Sequence, residues 1–253
     1  MSITKGGQPI QTVEEWGKQA GPKARNQWAE GRSAMELARA WISGIPDEVK
    51  SAFKSHPSFG EVKSWTAEPE VQLRFDDFKG EPSNSDLVVD ASDENGEYLI
   101  CVEGKADEPF DRLIKDKLSE AVERRLKNPR SNQLHRIDNL VRGFFHPLDS
   151  AEPPLKEIRY QLLTACAGMM AEAKRRNVGR TLLLVHEFQT DRTAREKLVN
   201  NARDLDRFIH RLSRGRMKSI ETGQICGPFE LPEGSGFATA ALFVGKITRD
   251  LRT

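Results

Sequence analysis

The sequence lacks several features that mark specialised classes of protein. Its 253 residues include only three cysteines, with no CxxC spacing, which excludes a disulfide framework and a cysteine zinc site. No stretch approaches the roughly 20 consecutive apolar residues that span a bilayer, and the first residues show no signal-peptide pattern. We therefore expect a protein of the reducing cytoplasm that has no membrane partner.

An excess of charge of one sign is also missing. Lysine and arginine total 39, aspartate and glutamate total 38, and the net charge is +1. The total charge therefore neither favours nor excludes nucleic acid, and an electrostatic argument depends on where the charges lie. The GxSxG, Walker and HExxH motifs are absent as well, so no other nucleophile or metal motif is indicated.

Helical and strand patterns follow one another along the chain and predict a mixed α/β protein with one sheet. Apolar spacing predicts a helix from Ser33 to about residue 43, and alternating or short apolar runs predict three strands after it. The strands are expected at residues 71–75, 87–91 and 98–102, later helices at 110–127, 131–145, 156–176 and 191–214, and later strands at 181–185 and 237–244. Residues 44–60 are expected to be a loop with some helical character.

Acidic and basic residues lie at the ends of the second and third predicted strands. Residues 95–96 are Asn-Gly, a strong hairpin signal, and a two-residue loop there places Asp86 opposite Lys105. Glu103 projects to the same face as Lys105, because strand residues two apart share a face. Asp86 then lies diagonal to Glu103, and Asp90 is a weaker second candidate on the same strand.

The chemistry of this cluster is that of a hard cation site. Two carboxylates can share Mg²⁺ or Mn²⁺ and leave positions for water. Such an ion polarises a phosphoryl oxygen and lowers the pKa of water, while a lysine can orient that water or stabilise phosphoryl charge. An exposed, weak ion pair between Glu103 and Lys105 is the alternative interpretation.

Asp86, a hairpin and then Glu103-Gly-Lys105 together resemble the PD-(D/E)xK signature of the restriction-endonuclease-like nuclease superfamily. The resemblance implies an αβββαβ core over residues 33–187. It also implies that Asp86 and Glu103 bind the metal and that Lys105 is the catalytic lysine. The sequence departs from the family at Ser85, where a proline usually precedes the aspartate.

The resemblance also implies two accessory residues. Some members add a glutamate from the first core helix, where Glu36 stands, and a polar residue from the helix after the third strand, where Gln161 stands. Glu36 is better explained as the last residue of a capping box that begins at Ser33. Residue 165 is alanine, where exonuclease-type members carry a tyrosine, which weakens an exonuclease assignment.

The core divides the chain into predicted segments. Residues 1–32 form an N-terminal extension, and residues 33–253 form one nuclease-like domain. Within that domain we expect the core at 33–187, inserted helices at 110–147 and a helix-strand extension at 188–253.

The predicted helix at residues 191–214 carries a row of basic residues. Between residues 191 and 218 there are nine lysines and arginines against four acidic residues. A row of arginines suits contacts with phosphates, although a solvated helix face is the alternative. The row consists of Arg203, Arg207, Arg211 and Arg214.

Taken together, these patterns predict a metal-dependent nuclease that hydrolyses phosphodiester bonds. A nucleic acid is the expected partner, DNA in the first instance, and a homodimer is a possible assembly. Because a fold does not fix a function, the alternative is a nuclease-fold module without turnover that binds nucleic acid or a protein. A purely structural subunit, with the cluster as an ion-pair network, is a third interpretation.

Overall fold

The computed structural model describes residues 2–22, 25–146 and 153–253, which build one mixed sheet of eight strands between two layers of helices. The strands are β1 (Ser2–Lys5), β2 (Gln8–Ile10), β3 (Ser64–Leu73), β4 (Ser83–Asp93), β5 (Gly96–Lys105), β6 (Arg180–Gln189), β7 (Gln224–Phe229) and β8 (Ala241–Asp250). The helices are α1 (Val13–Ala20), α2 (Ser33–Trp41), α3 (Asp47–Lys54), α4 (Ile114–Lys127), α5 (Gln133–Phe144), α6 (Tyr160–Arg176) and α7 (Arg195–Leu212).

The strand order across the sheet is β2-β1-β3-β4-β5-β6-β8-β7. β3, β4 and β5 form an antiparallel meander, whereas β5, β6 and β8 run parallel to one another. The chain returns from β5 to β6 through α6, as a parallel pair requires. The mixed α/β class predicted from the sequence is confirmed.

Each face of the sheet is covered by its own apolar core. Helices α1, α2 and α3 pack on one face, and α4, α5, α6 and α7 pack on the other. The middle of α6 consists of small residues, as expected for a helix pressed against a sheet. A Cβ added to Gly168 would lie 2.8 Å from the Cβ of Leu73, so only glycine permits this approach.

The element order α2-β3-β4-β5-α6-β6 is αβββαβ. Helices α4 and α5 lie between β5 and α6, where the sequence predicts inserted helices, although residue 147 at the end of that segment lies outside the described residues. The two outer segments also join the sheet. The N-terminal segment supplies β1 and β2 at one edge, and the C-terminal segment supplies β7 and β8 at the other.

Several elements were missed by the sequence patterns. Strands β1, β2 and β7 are three to six residues long, too short for alternation to distinguish them from loops. The segment at residues 44–60, expected to be a loop with some helical character, contains the two-turn helix α3. No helix in the described ranges is long and apolar enough to cross a membrane.

Candidate active site

The hairpin that joins β4 to β5 turns one residue earlier than predicted. Its two loop residues are Glu94 and Asn95, and Asp93 pairs with Gly96. Positive φ falls on Gly96 (+108°), and Asn95 has none, so the turn is not the type I′ turn predicted at residues 95–96. Glycine adopts this positive φ without the steric cost that a side chain would add. The Asp93 carboxylate stabilises the turn by accepting a 2.7 Å hydrogen bond from the Asn95 amide.

This turn changes the neighbour of Asp86. The ladder ends with Leu87 opposite Val102, so the next residues on the two strands are Asp86 and Glu103, not Asp86 and Lys105 as predicted. The residue opposite Asp86 is therefore two positions earlier in β5 than predicted. Because the shift is an even number of residues, each side chain still faces the predicted side of the sheet. The Gly104 amide donates a 2.8 Å hydrogen bond to Asp86 Oδ2 and ties the two strand ends together.

Glu103 is completely buried, yet only one of its carboxylate oxygens is satisfied. Gln161 Nε2, on the first turn of α6, donates to Glu103 Oε2 at 2.7 Å, and Lys105 Nζ lies 3.7 Å from the same oxygen. Glu103 Oε1 has no hydrogen-bond partner among the described residues. Lys105 is also buried, with its ammonium 5.2 Å from the centroid of the Phe110 ring. The sequence-predicted residues Glu103, Lys105 and Gln161 are therefore in contact.

The pKa values of both carboxyl groups are raised above their ordinary values. Burial, followed by the charge of Asp86, raises the pKa of Glu103 to about 8. Burial also raises the pKa of Asp86, despite the nearby Lys105 ammonium and the Gly104 amide. Two acids that resist ionisation beside each other are a frequent sign of a functional site. A cation bound between them would offset both the cost of burying their negative charges and the repulsion between those charges.

A third acid, Glu70 on β3, lies beside this pair and was missed by the sequence patterns. It occupies the position across from Asp86, between the pairs Pro69–Leu87 and Val71–Ser85. Burial and the charge of Asp86 raise the pKa of Glu70 to about 7.

The backbone at Glu70 explains why a strand pattern cannot find it. Its φ is +52°, in the left-handed region, and Lys5 Nζ donates to its carbonyl at 2.9 Å. Trp65 packs in the core beneath α2, whereas Leu73 packs in the core beneath α6, although both are odd-numbered residues of one strand. The left-handed residue reverses the alternation, and this interrupts the period of two that identifies a strand.

The donor set of this site fits a hard divalent cation. Groups of three or more His, Cys, Asp or Glu side chains able to hold a metal ion are not found within the described residues. Asp86 and Glu103 offer two carboxylates, and the buried Glu103 Oε1 has an unused acceptor. Mg²⁺ is commonly held by one or two carboxylates and several waters, so these two residues would be sufficient.

Two predicted accessory residues lie elsewhere. Glu36 is buried on α2, where its Oε1 accepts a 2.8 Å hydrogen bond from the Gly31 amide. That contact replaces the capping box expected at Ser33, because the helix N-cap is Arg32. Asp90 points to the far end of α6 and pairs with Arg176 at 2.6 Å. Neither residue forms a hydrogen bond or ion pair with Glu103 in the described part of the chain, so the structure does not bring these two predicted accessory residues to the cluster.

The predicted arginine row is not a continuous exposed surface. Arg207 pairs with Glu157 at 3.1 Å, and Arg211 is buried, with its guanidinium 5.6 Å from the centroid of the Phe145 ring. Arg214 lies beyond the end of α7 in a left-handed conformation. Arg203 is exposed and donates to Asn200. The helix uses part of its basic face for packing, which a helical-wheel argument does not detect.

A cleft of about 710 Å³ leads to the cluster from the side of the inserted helices. Lys105 and Gln161 line its buried end, and both of them flank Glu103. We call it the insertion cleft, because its other walls are the β3–β4 connection and helices α4 and α5. Those walls consist of Phe75, Phe78, Lys79, Gly80, Glu81, Pro82, Ser83, Asn84, Pro109, Asp111, Lys117, Glu120, Arg124, Asn132, Gln133, Arg136, Tyr160 and Thr164.

Comparison with known proteins gives a family and no activity. No curated protein and no solved structure matches the chain. A family model does match residues 9–250, which cover nearly the whole sequence, including both edges of the sheet. The chain therefore belongs to the family described as a domain of unknown function, DUF6946.

Proposed function

We propose that the protein is a metal-dependent nuclease that hydrolyses phosphodiester bonds in nucleic acid. The observation that carries the proposal is the buried Glu103 carboxylate, which lies beside Asp86 with one oxygen unpartnered and its pKa raised to about 8. A buried acid without partners is costly, and a cation is the group that would compensate it. The αβββαβ order of elements and the sequence resemblance to PD-(D/E)xK nucleases support the same reading.

Asp86 and Glu103 would hold Mg²⁺ or Mn²⁺. When bound, such an ion supplies Lewis-acid polarisation of a phosphoryl oxygen and lowers the pKa of water.

The residues of the chain supply positioning and charge. Gln161 fixes Glu103 Oε2, and the Gly104 amide fixes Asp86 Oδ2, so neither carboxylate has to reorganise when a cation enters. Lys105 lies at the boundary between the carboxylates and the insertion cleft. Its ammonium can orient an attacking water or stabilise negative charge that develops on the phosphoryl group. Burial of Glu103 and Lys105 excludes bulk water and strengthens these interactions.

The test is Mg²⁺-dependent cleavage of a panel of labelled nucleic acids by wild type, Glu103→Gln and Asp90→Asn. Glu103→Gln keeps the size of the side chain and an acceptor for Gln161 but removes the charge. We expect it to reduce cleavage by at least about 10³-fold, the scale of losing a principal electrostatic contribution. Asp90→Asn is the matched control on the same hairpin, outside the site, and should cleave like wild type.

Equal cleavage by wild type and Glu103→Gln would reject the assignment. Metal binding and a folded wild-type protein without cleavage of any substrate would favour a nuclease-fold module that binds without turnover. Isothermal titration of Mg²⁺ into wild type and the double variant Asp86→Asn, Glu103→Gln separates these cases, because the double variant should bind no metal.

A further inference from the structure

The insertion cleft combines a buried catalytic end with an exposed basic rim. Lys79, from the β3–β4 connection, and Arg124, from α4, are both exposed. Other cations of the cleft are already paired: Lys117 lies 3.1 Å from Asp111, and Arg136 binds Asp76 at 2.6 Å.

Lys79 and Arg124 differ from these paired cations. Through their side chains they form no ion pair or hydrogen bond with the rest of the described chain. The exposed Glu81 opposes them with a single negative charge. The rim therefore has two available cations for an anionic ligand whose reacting group lies deeper, beside Lys105.

An aromatic residue of the same rim lies outside both apolar cores. Phe78 is half-exposed and belongs to neither apolar core, whereas Phe75 and Tyr160 of the same cleft pack against one of them. The loop that carries Phe78 is held in place, since the Phe78 amide donates to Asp76 Oδ1 at 3.2 Å and Arg74 donates to the Phe78 carbonyl. A positioned, partly exposed ring outside the cores is a platform on which a nucleobase can stack.

The wall of the cleft also holds an unsatisfied acceptor. Gln133 Oε1, at the start of α5, is a buried oxygen without a hydrogen-bond partner among the described residues. Buried polar atoms are nearly always paired, so an unpaired one in a cleft wall indicates a ligand donor. The ring N3–H of a thymine or uracil base is a donor of this kind.

We infer that the insertion cleft binds a single-stranded segment of nucleic acid. Phe78 stacks on a base, Lys79 and Arg124 contact the backbone phosphates, and Gln133 accepts a hydrogen bond from a base edge. Base faces are available to a protein ring only when the strand is unpaired. A cleft of about 710 Å³ between two helices and a loop encloses a flexible strand. This inference rests on the proposed function and names the substrate class of the same site.

Fluorescence anisotropy with labelled oligo(dT), oligo(U) and a blunt DNA duplex tests the inference in EDTA, where no cleavage occurs. We expect one or both single strands to bind more tightly than the duplex. Phe78→Ala should weaken binding of the single strand by roughly 5- to 150-fold, the range for loss of one stacked base, and Phe78→Trp should restore it.

Charge reversal provides an independent readout. Lys79→Glu with Arg124→Glu should weaken binding and lower the slope of log K against log salt by about 1.4, the value for two phosphate contacts on a single strand. The matched control, Lys54→Glu with Lys63→Glu, makes the same charge change at two exposed lysines, at the end of α3 and just before β3, and should bind like wild type.

The inference is overturned if the duplex binds as tightly as both single strands, if Phe78→Ala has no effect, or if the control variant loses as much affinity as the rim variant. Cleavage assays with wild type and Glu103→Gln separate a failure of this inference from a failure of the proposed function. If the nuclease proposal fails but the inference holds, single strands still bind with the predicted Phe78 dependence and no variant cleaves them.

Discussion

The β4–β5 hairpin carries a buried carboxylate near each end, and the two have opposite environments. At the turn, Asp93 accepts hydrogen bonds from both terminal nitrogens of Arg180 and from the amides of Gly60 and Asn95. At the open end, Glu103 accepts a hydrogen bond from Gln161 and lies near Lys105, with one oxygen unpartnered.

The pKa values of Asp93 and Glu103 are shifted in opposite directions by these environments. Burial alone would raise the pKa of Asp93, but the bonds from Arg180 and the two amides outweigh it and lower the pKa. Burial and the charge of Asp86 raise the pKa of Glu103 to about 8. A satisfied buried acid is part of the scaffold, whereas an unsatisfied one costs stability and is retained where it has chemistry to perform.

The largest effect on stability is expected when Asp93 is replaced. Asp93→Ala leaves the largely buried Arg180 guanidinium without its carboxylate partner, which costs about 3–5 kcal/mol of unfolding free energy. Urea denaturation measures this loss. Glu103→Gln is the counterpart at the other end and should stabilise the metal-free protein by about 1–2 kcal/mol at pH 8.5, because it removes a buried charge. Equal destabilisation by Asp93→Ala and Glu103→Gln would show that the two buried carboxylates do not differ in their contribution to stability.

The contributions of Asp93 and Glu103 to the free energy of unfolding should change with pH in opposite directions. A raised folded-state pKa means that the folded protein binds more protons than the unfolded chain, so the Glu103 contribution falls as the pH rises from about 5 to 8. The lowered pKa of Asp93 gives a contribution that is present at neutral pH and lost as the pH falls through its folded pKa. Urea denaturation of wild type and Glu103→Gln across this range provides the measurement. The decline between pH 5 and 8 should be shallower in the variant, and an identical decline would contradict the burial of Glu103 as an acid.

Mg²⁺ should bind only at the open end of the hairpin, at Asp86 and Glu103. Because the ion requires ionised carboxylates, its binding should release protons and tighten as the pH rises from 6 to about 8. Titration calorimetry in buffers of different ionisation enthalpy detects the released protons. At saturating Mg²⁺ the melting temperature should rise by roughly 5 °C in wild type, about 2 kcal/mol for a chain of this length, and remain unchanged in Glu103→Gln. A rise of equal size in Asp86→Asn, Glu103→Gln would place the metal elsewhere.

The smallest effect is expected midway along the same hairpin. Asp90→Asn breaks the largely exposed ion pair with Arg176, and such pairs are worth about 0–1 kcal/mol. Urea denaturation should show little change, and Mg²⁺ affinity should equal that of wild type. A large loss of Mg²⁺ affinity in this variant would show that the site extends along β4 beyond Asp86.

Most of the scaffold could be predicted from local patterns. Long apolar runs and amphipathic helices identify β4, β5, β6, α6 and α7, because these elements bury a regular stripe of side chains. The edge strands β1, β2 and β7 could not be found, because their short segments are stabilised by pairing with a neighbour rather than by their own composition.

The candidate site could be predicted in part. Asp86, Glu103, Lys105 and Gln161 were identified from strand-end position and resemblance, and Glu103 contacts both Lys105 and Gln161. The register was wrong by two residues, because the Asn-Gly pair that predicts a loop at residues 95–96 stands one residue later than the loop at residues 94–95. The arginine row was misread, because helical spacing does not show which side of a helix packs against another element.

The sequence by itself determined the α/β class and the acid, glycine and lysine spacing at the end of β5, since both depend on residues close together in the chain. The tertiary structure alone decided which carboxylates are satisfied, that Glu70 lies beside Asp86, and that the insertion cleft leads to Lys105. Burial and hydrogen-bond partners come from residues far apart in the chain, 87 positions in the case of Arg180 and Asp93, and no local pattern predicts them.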